Sequence, residues 1–176
     1  MHDFSDLAYR CSIFTLDSLK NVEEKTIEAL QTNGATSLVK TLQMTRLERI
    51  ILAVGTFSIF EALLQDRLNC DNGYSEAKGI LKNAGDLQLL AQFTDLELAI
   101  NALKHGRGRS YNRLIAKNGG TIPSKVKEPT EHFFGEGDVS EITTLIDVDD
   151  KFIYSCVEII SQVSESIKKF RPDVIL

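Results

Sequence analysis

The sequence predicts an all-α fold: a single domain over residues 1–176, built as an antiparallel helical bundle of four to five main helices with a long basic loop before the last helix. Three observations carry this expectation. Apolar residues recur at steps of three and four along three long stretches, the period of a helix with one buried face. Turn-forming residues fall between those stretches. All three prolines lie beyond residue 120, which leaves the first two-thirds of the chain free to be helical.

The first helix is expected from about Asp3 to Thr32, with Ala8, Cys11, Thr15, Leu19, Val22, Thr26 and Leu30 in register and Asn33-Gly34 as its stop. In the second, Leu47, Ile50, Val54, Phe57, Leu64 and Leu68 form one stripe, and "NCDNG" at 69–73 ends it. Its most apolar run, Ile50 to Phe60, is too short to span a bilayer and reads as a buried helix segment. A short helix is expected over roughly Tyr74 to Asn83. Next comes a helical stretch from Asp86 to His105, with Leu89, Phe93, Leu96, Ile100 and Leu103 on one face. Thr94 and Glu97 have capping-box spacing, which would divide that stretch in two, and Gly106 is a natural C-cap.

From there to about Asp147 the periodicity dissolves. "KNGGTIPSKVKEPT" (117–130) reads as a polar loop, and "HFFGEGDVSEITTLIDV" (132–148) as holding a short strand or turn. The last helix carries Phe152, Cys156, Ile159, Val163, Ile167 and Phe170 and ends at Arg171-Pro172.

Composition narrows the function classes. The chain is 43% hydrophobic and 26% charged, which is ordinary for a soluble globular protein. Cys11, Cys70 and Cys156 are far apart and the three histidines are scattered, so neither a disulfide framework nor a metal site is expected, and no cofactor. A reducing cytoplasm fits that usage. "MHDFSDLAYR" has no basic segment leading into an apolar one, so no signal peptide and no membrane association are expected.

Charge is unevenly spread. Between Leu98 and Lys127 stand seven basic residues and no acid: Lys104, Arg107, Arg109, Arg113, Lys117, Lys125 and Lys127. The rest of the chain holds 13 basic residues against 25 acidic. Segregated positive charge suits a polyanion, since each Lys or Arg can replace a counterion condensed on a nucleic-acid backbone. Tyr111 in the same stretch could stack on a base. The competing reading is that these cations complement a helix C-terminus or pair with the chain's own acidic surface.

Within the segment, Asn101 and His105 are four residues apart and share a helix face, with Glu97 another four back. An imidazole beside guanidinium groups suits RNA cleavage without a metal. It can take a proton from a 2′-hydroxyl or return one to the leaving oxygen, while Arg stabilises charge on the phosphorus oxygens. Glu61 interrupts the most apolar helix, so a partly buried carboxylate is expected there. It could pair with Arg107, Arg109 or His105 and orient the site, or form a structural salt bridge.

"SIFEALLQDRL" (58–68), followed some forty residues later by "AINALKHGRG" (99–108), resembles the HEPN superfamily of helical nucleotide-binding domains. The resemblance covers about residues 40–170 in helix order, and only the His105-Gly106 region is motif-like. It implies an all-helical domain that forms a homodimer. It also implies an RNA or nucleotide ligand and, for many members, metal-independent endoribonuclease activity in toxin–antitoxin or phage-defence systems with an antitoxin protein as partner. His105 matches the motif histidine and Asn101 its polar residue, but Leu98, Ala99 and Ile100 stand where the motif arginine should be. The resemblance then implies either that Arg107 or Arg109 supplies the guanidinium, or a non-catalytic member that binds nucleic acid or acts as an interaction module.

Overall fold

A computed structural model describes residues 3–128, 130–131, 142 and 144–174. Among these residues the chain is all-helical, with six α-helices: α1 Phe4–Leu30, α2 Thr36–Leu68, α3 Gly73–Ala84, α4 Leu87–His105, α5 Arg109–Ala116 and α6 Asp150–Phe170. No helix among them is long and apolar enough to cross a membrane.

The helix ends obey local chemistry. The Asp3 carboxylate accepts from the Ser5 N–H at 2.9 Å and starts α1. Asn72 accepts from the Ser75 N–H at 2.8 Å to start α3, and Asp149 accepts from the Phe152 N–H at 2.9 Å to start α6. Asn69 and Gly85 take left-handed conformations to end α2 and α3. Gly73 is required for another reason. A Cβ there would lie 2.7 Å from the Glu61 carbonyl oxygen and from the Leu64 Cβ, so only glycine lets α3 leave α2 at such close range.

α1 packs on α2 and α6; α2 also meets α3, α4 and α6; α5 lies against α4. At the centre, Phe57, Phe60, Tyr74 and Phe93 form an aromatic cluster with ring centroids 5.2 to 6.4 Å apart, joined on one side by Phe4 stacked on Phe60. Tyr74 donates its hydroxyl hydrogen to the Phe57 carbonyl at 2.6 Å, and burial pushes that phenol well above its ordinary range. α6 contributes Phe152, Cys156, Ile160, Val163 and Ile167, all essentially inaccessible to solvent.

Several expectations need correction. α5 occupies Arg109–Ala116, inside the stretch read as loop, so the described residues hold six helices where four to five main ones were expected. α4 is one helix: Thr94 does not cap a new start but donates its hydroxyl back to the Leu90 carbonyl at 2.7 Å. The buried face of α1 is Ala8, Ser12, Leu16, Leu19 and Thr26, while Cys11 and Val22 are exposed. α2 buries Thr45, Arg49, Ala53, Phe57, Phe60 and Leu64, and leaves Leu47 49% exposed. Phe170 is exposed as well. Of the segment read as a short strand or turn, residues 132–141 and 143 lie outside the described residues; Ile146 forms a single antiparallel bridge with Val126.

Candidate nucleic-acid interface

Three residues, Gly106 to Gly108, turn the chain from α4 into α5 and form an αα-corner. The Gly106 N–H closes α4 on the Ala102 carbonyl at 2.9 Å, and Gly106 adopts φ 73°, ψ −149°, a region reserved for glycine. α5 then lies down on α4 by its apolar side. Tyr111 and Leu114 are buried, and Arg109, Asn112 and Arg113 face out. Tyr111 fixes the helix further by donating its hydroxyl hydrogen to the Lys127 carbonyl at 2.6 Å.

The corner gathers the proximal half of the basic segment. Lys104, His105, Arg107, Arg109 and Arg113 are all exposed. The side chains of Lys104, His105, Arg109 and Arg113 make no hydrogen bond or ion pair among the described residues. The positive charge of Arg107 reaches the Tyr111 hydroxyl, pulling it down against burial, which pushes it up more strongly. Asn101 is half-buried one turn before His105 on α4.

The distal half behaves differently. Lys117 is bonded at 2.5 Å to Asp95, a carboxylate buried inside α4 that also accepts from the Thr121 N–H at 3.0 Å. Lys125 is bonded at 2.5 Å to Glu131. The basic segment is therefore divided: internal pairing holds for Lys117 and Lys125, past Ala116, and the cations before it are exposed.

Three site residues depart from expectation. Tyr111 is 2% exposed, so neither ring face is open to a base. The Lys117 ammonium is committed to Asp95. Glu61 is half-buried, but it makes no hydrogen bond or ion pair with His105, Arg107, Arg109 or any other described residue; its charge acts on the Tyr74 hydroxyl, on the α3 side. Glu97, the third member of the polar ridge, pairs with Lys78 of α3 at 2.6 Å.

A cleft of about 400 Å³ runs beside the corner, lined by Leu47, Ile50, Leu103, Gly106, Arg107 and Leu145. It shares Ile50, Ile142 and Thr144 with a larger cleft of about 660 Å³ whose cations, Arg46, Lys125, Lys127 and Lys151 among them, are nearly balanced by Glu23, Asp147, Asp149 and Asp150. Arg46 and Lys151 were not foreseen, because nothing in the sequence ties α2 or the start of α6 to the basic segment. No group of three or more His, Cys, Asp or Glu side chains among the described residues is placed to hold a metal ion.

Comparison with family models, with curated proteins and with solved structures finds no match to this chain.

Proposed function

We propose that this chain is a HEPN-like antiparallel helical bundle, acting as a homodimer in the cytoplasm, that binds RNA through the α4–α5 corner. One observation carries the reading: the cations of the corner are exposed, and Lys104, Arg109 and Arg113 are unpaired among the described residues, whereas Lys117 and Lys125 are neutralised by carboxylates. Helix-end complementarity gives an acidic chain a small gain from Lys104 and Arg113, but no carboxylate among the described residues meets these three exposed cations; a phosphate backbone would neutralise them. The adjoining cleft offers an apolar wall of Leu47, Ile50 and Leu103 against which a base can lie, next to Arg107. The long basic loop of the sequence reading is then a binding corner followed by a structurally committed tail.

A second reading, metal-independent endoribonucleolytic cleavage in a toxin–antitoxin or defence setting, is favoured by the exposed His105 at the helix end with Arg107 and Arg109 just beyond it. In that mechanism His105 moves the proton, Asn101 positions the substrate, and Arg107 or Arg109 stabilises the phosphorane in place of the motif arginine. End-labelled single-stranded RNA in EDTA separates the two. Cleavage by the wild type that vanishes in His105→Ala establishes the nuclease, and binding without cleavage in both proteins establishes the binding domain. With neither, the chain is an interaction module for an antitoxin or another protein.

A further inference from the structure

α2 turns a second face away from the other helices. Met44, Leu47 and Ile51 on that face are 49%, 49% and 55% exposed. Val54 and Ser58 continue the line half-buried, and beside them a Cβ added at Gly55 would meet nothing within 4 Å. Lys40, exposed, and Glu61, half-buried beside α3, close the line at either end, and neither side chain makes a hydrogen bond or ion pair among the described residues. From Lys40 through Met44, Leu47, Ile51, Val54 and Ser58 to Glu61 the steps alternate between four and three, the spacing of a seam between two packed helices. The seam covers about 30 Å of helix at 1.5 Å per residue.

The line is also self-complementary: a cation at one end, a carboxylate at the other and isoleucine at the midpoint. We propose that this face receives a second copy of the chain, α2 against α2, antiparallel about a two-fold axis at Ile51. Met44 then lies opposite Ser58 of the second copy and Ile51 opposite itself, with Lys40 within one residue of Glu61 and Leu47 within one residue of Val54. Such a pairing is isologous and closes on itself, so it stops at two chains. A parallel arrangement would set Lys40 against Lys40 and Glu61 against Glu61, which like-charge repulsion disfavours. The inference names the interface of the homodimer proposed above and rests on that reading. It adds one consequence. Leu47 belongs both to the seam and to the cleft that holds Gly106 and Arg107, so the second copy walls one side of the RNA site.

The test uses the full chain with Cys11→Ser and Cys70→Ser, leaving only the buried Cys156. Ile51→Cys in that background should form a disulfide-linked dimer on mild oxidation, and Met44→Cys should not. An antiparallel pair separates the two Met44 positions by about 21 Å along the helix, and a disulfide needs Cα atoms within about 7 Å. Light scattering should give the wild type twice 19.6 kDa, and Ile51→Asp should halve that mass with an unchanged circular dichroism spectrum. Lys40→Glu and Glu61→Lys should each weaken association about tenfold, and the double variant should recover it. A monomeric wild type, equal cross-linking at both positions, or an Ile51→Asp protein that stays dimeric overturns the proposal. RNA anisotropy on the same samples keeps the readings apart: a monomer that binds RNA removes the α2 seam and the homodimer but leaves the RNA site, and a dimer without RNA affinity removes the RNA site but leaves the seam.

Discussion

Arg49 shows how a single residue can hold three helices. Its side chain is 8% exposed, yet it carries a full charge, which is tolerable only because that charge is met on two sides. Two guanidinium nitrogens reach the Glu23 carboxylate of α1 at 2.6 and 3.0 Å, and Nε reaches Asp150 at the start of α6 at 2.8 Å. Thr45 completes the set by donating its hydroxyl to Glu23 at 2.7 Å. Removing Arg49 leaves two half-buried carboxylates without compensation, so Arg49→Ala should lose about 3 kcal/mol, the low end for a broken buried pair because Asp150 is partly exposed; urea unfolding measures it. Glu23 also gives a pH signature. Burial pushes its carboxyl up, but the Arg49 and Thr45 hydrogen bonds outweigh burial and hold it below its ordinary value of 4.5. A group depressed on folding stabilises the protein above its unfolded value, and that stability is lost as pH falls through the folded one. The melting temperature should therefore drop as pH falls below about 4.5, and Glu23→Gln should flatten that part of the profile.

At the scale of elements, the α4–α5 corner depends on Gly106. Its backbone angles lie where an L side chain costs about 1–3 kcal/mol, so Gly106→Ala should lower stability by that amount and weaken RNA binding, because the turn that presents Arg107 and Arg109 must reshape. Thermal melting and anisotropy on the same sample check both halves. The corner's helix end and its glycine were legible in the sequence; α5 was not. Its apolar side is only Tyr111 and Leu114, too brief a pattern to stand out from polar neighbours, and it forms because Tyr111 finds a tertiary partner in the Lys127 carbonyl. The same cause misplaced parts of the buried faces of α1 and α2. Thr45 and Ser12 are buried where periodicity favoured Leu47 and Cys11, and for Thr45 the reason is a carboxylate on another helix, which spacing alone cannot reveal. Asp95 did leave a trace, as an acid between Phe93 and Leu96, and it is this carboxylate that commits Lys117 to internal pairing.

For the molecule as a whole, the aromatic cluster sets the frame and the charge pattern carries the proposed use. Phe93 is fully buried against Phe57, Phe60 and Tyr74, and Phe93→Ala should cost about 3–5 kcal/mol as read by denaturant unfolding, since the cavity cannot collapse between three rings. That rigidity lets an acidic protein display a compact cationic corner at one helix end. The most direct test is the salt dependence of single-stranded RNA binding for the wild type against Arg107→Ala/Arg109→Ala/Arg113→Ala. The expected result is a wild-type affinity that falls steeply with salt, and a slope in the triple variant shallower by about 2, near 0.7 for each phosphate contact removed. Binding with an unchanged slope in the triple variant, or no binding by the wild type, would contradict an RNA site at the α4–α5 corner.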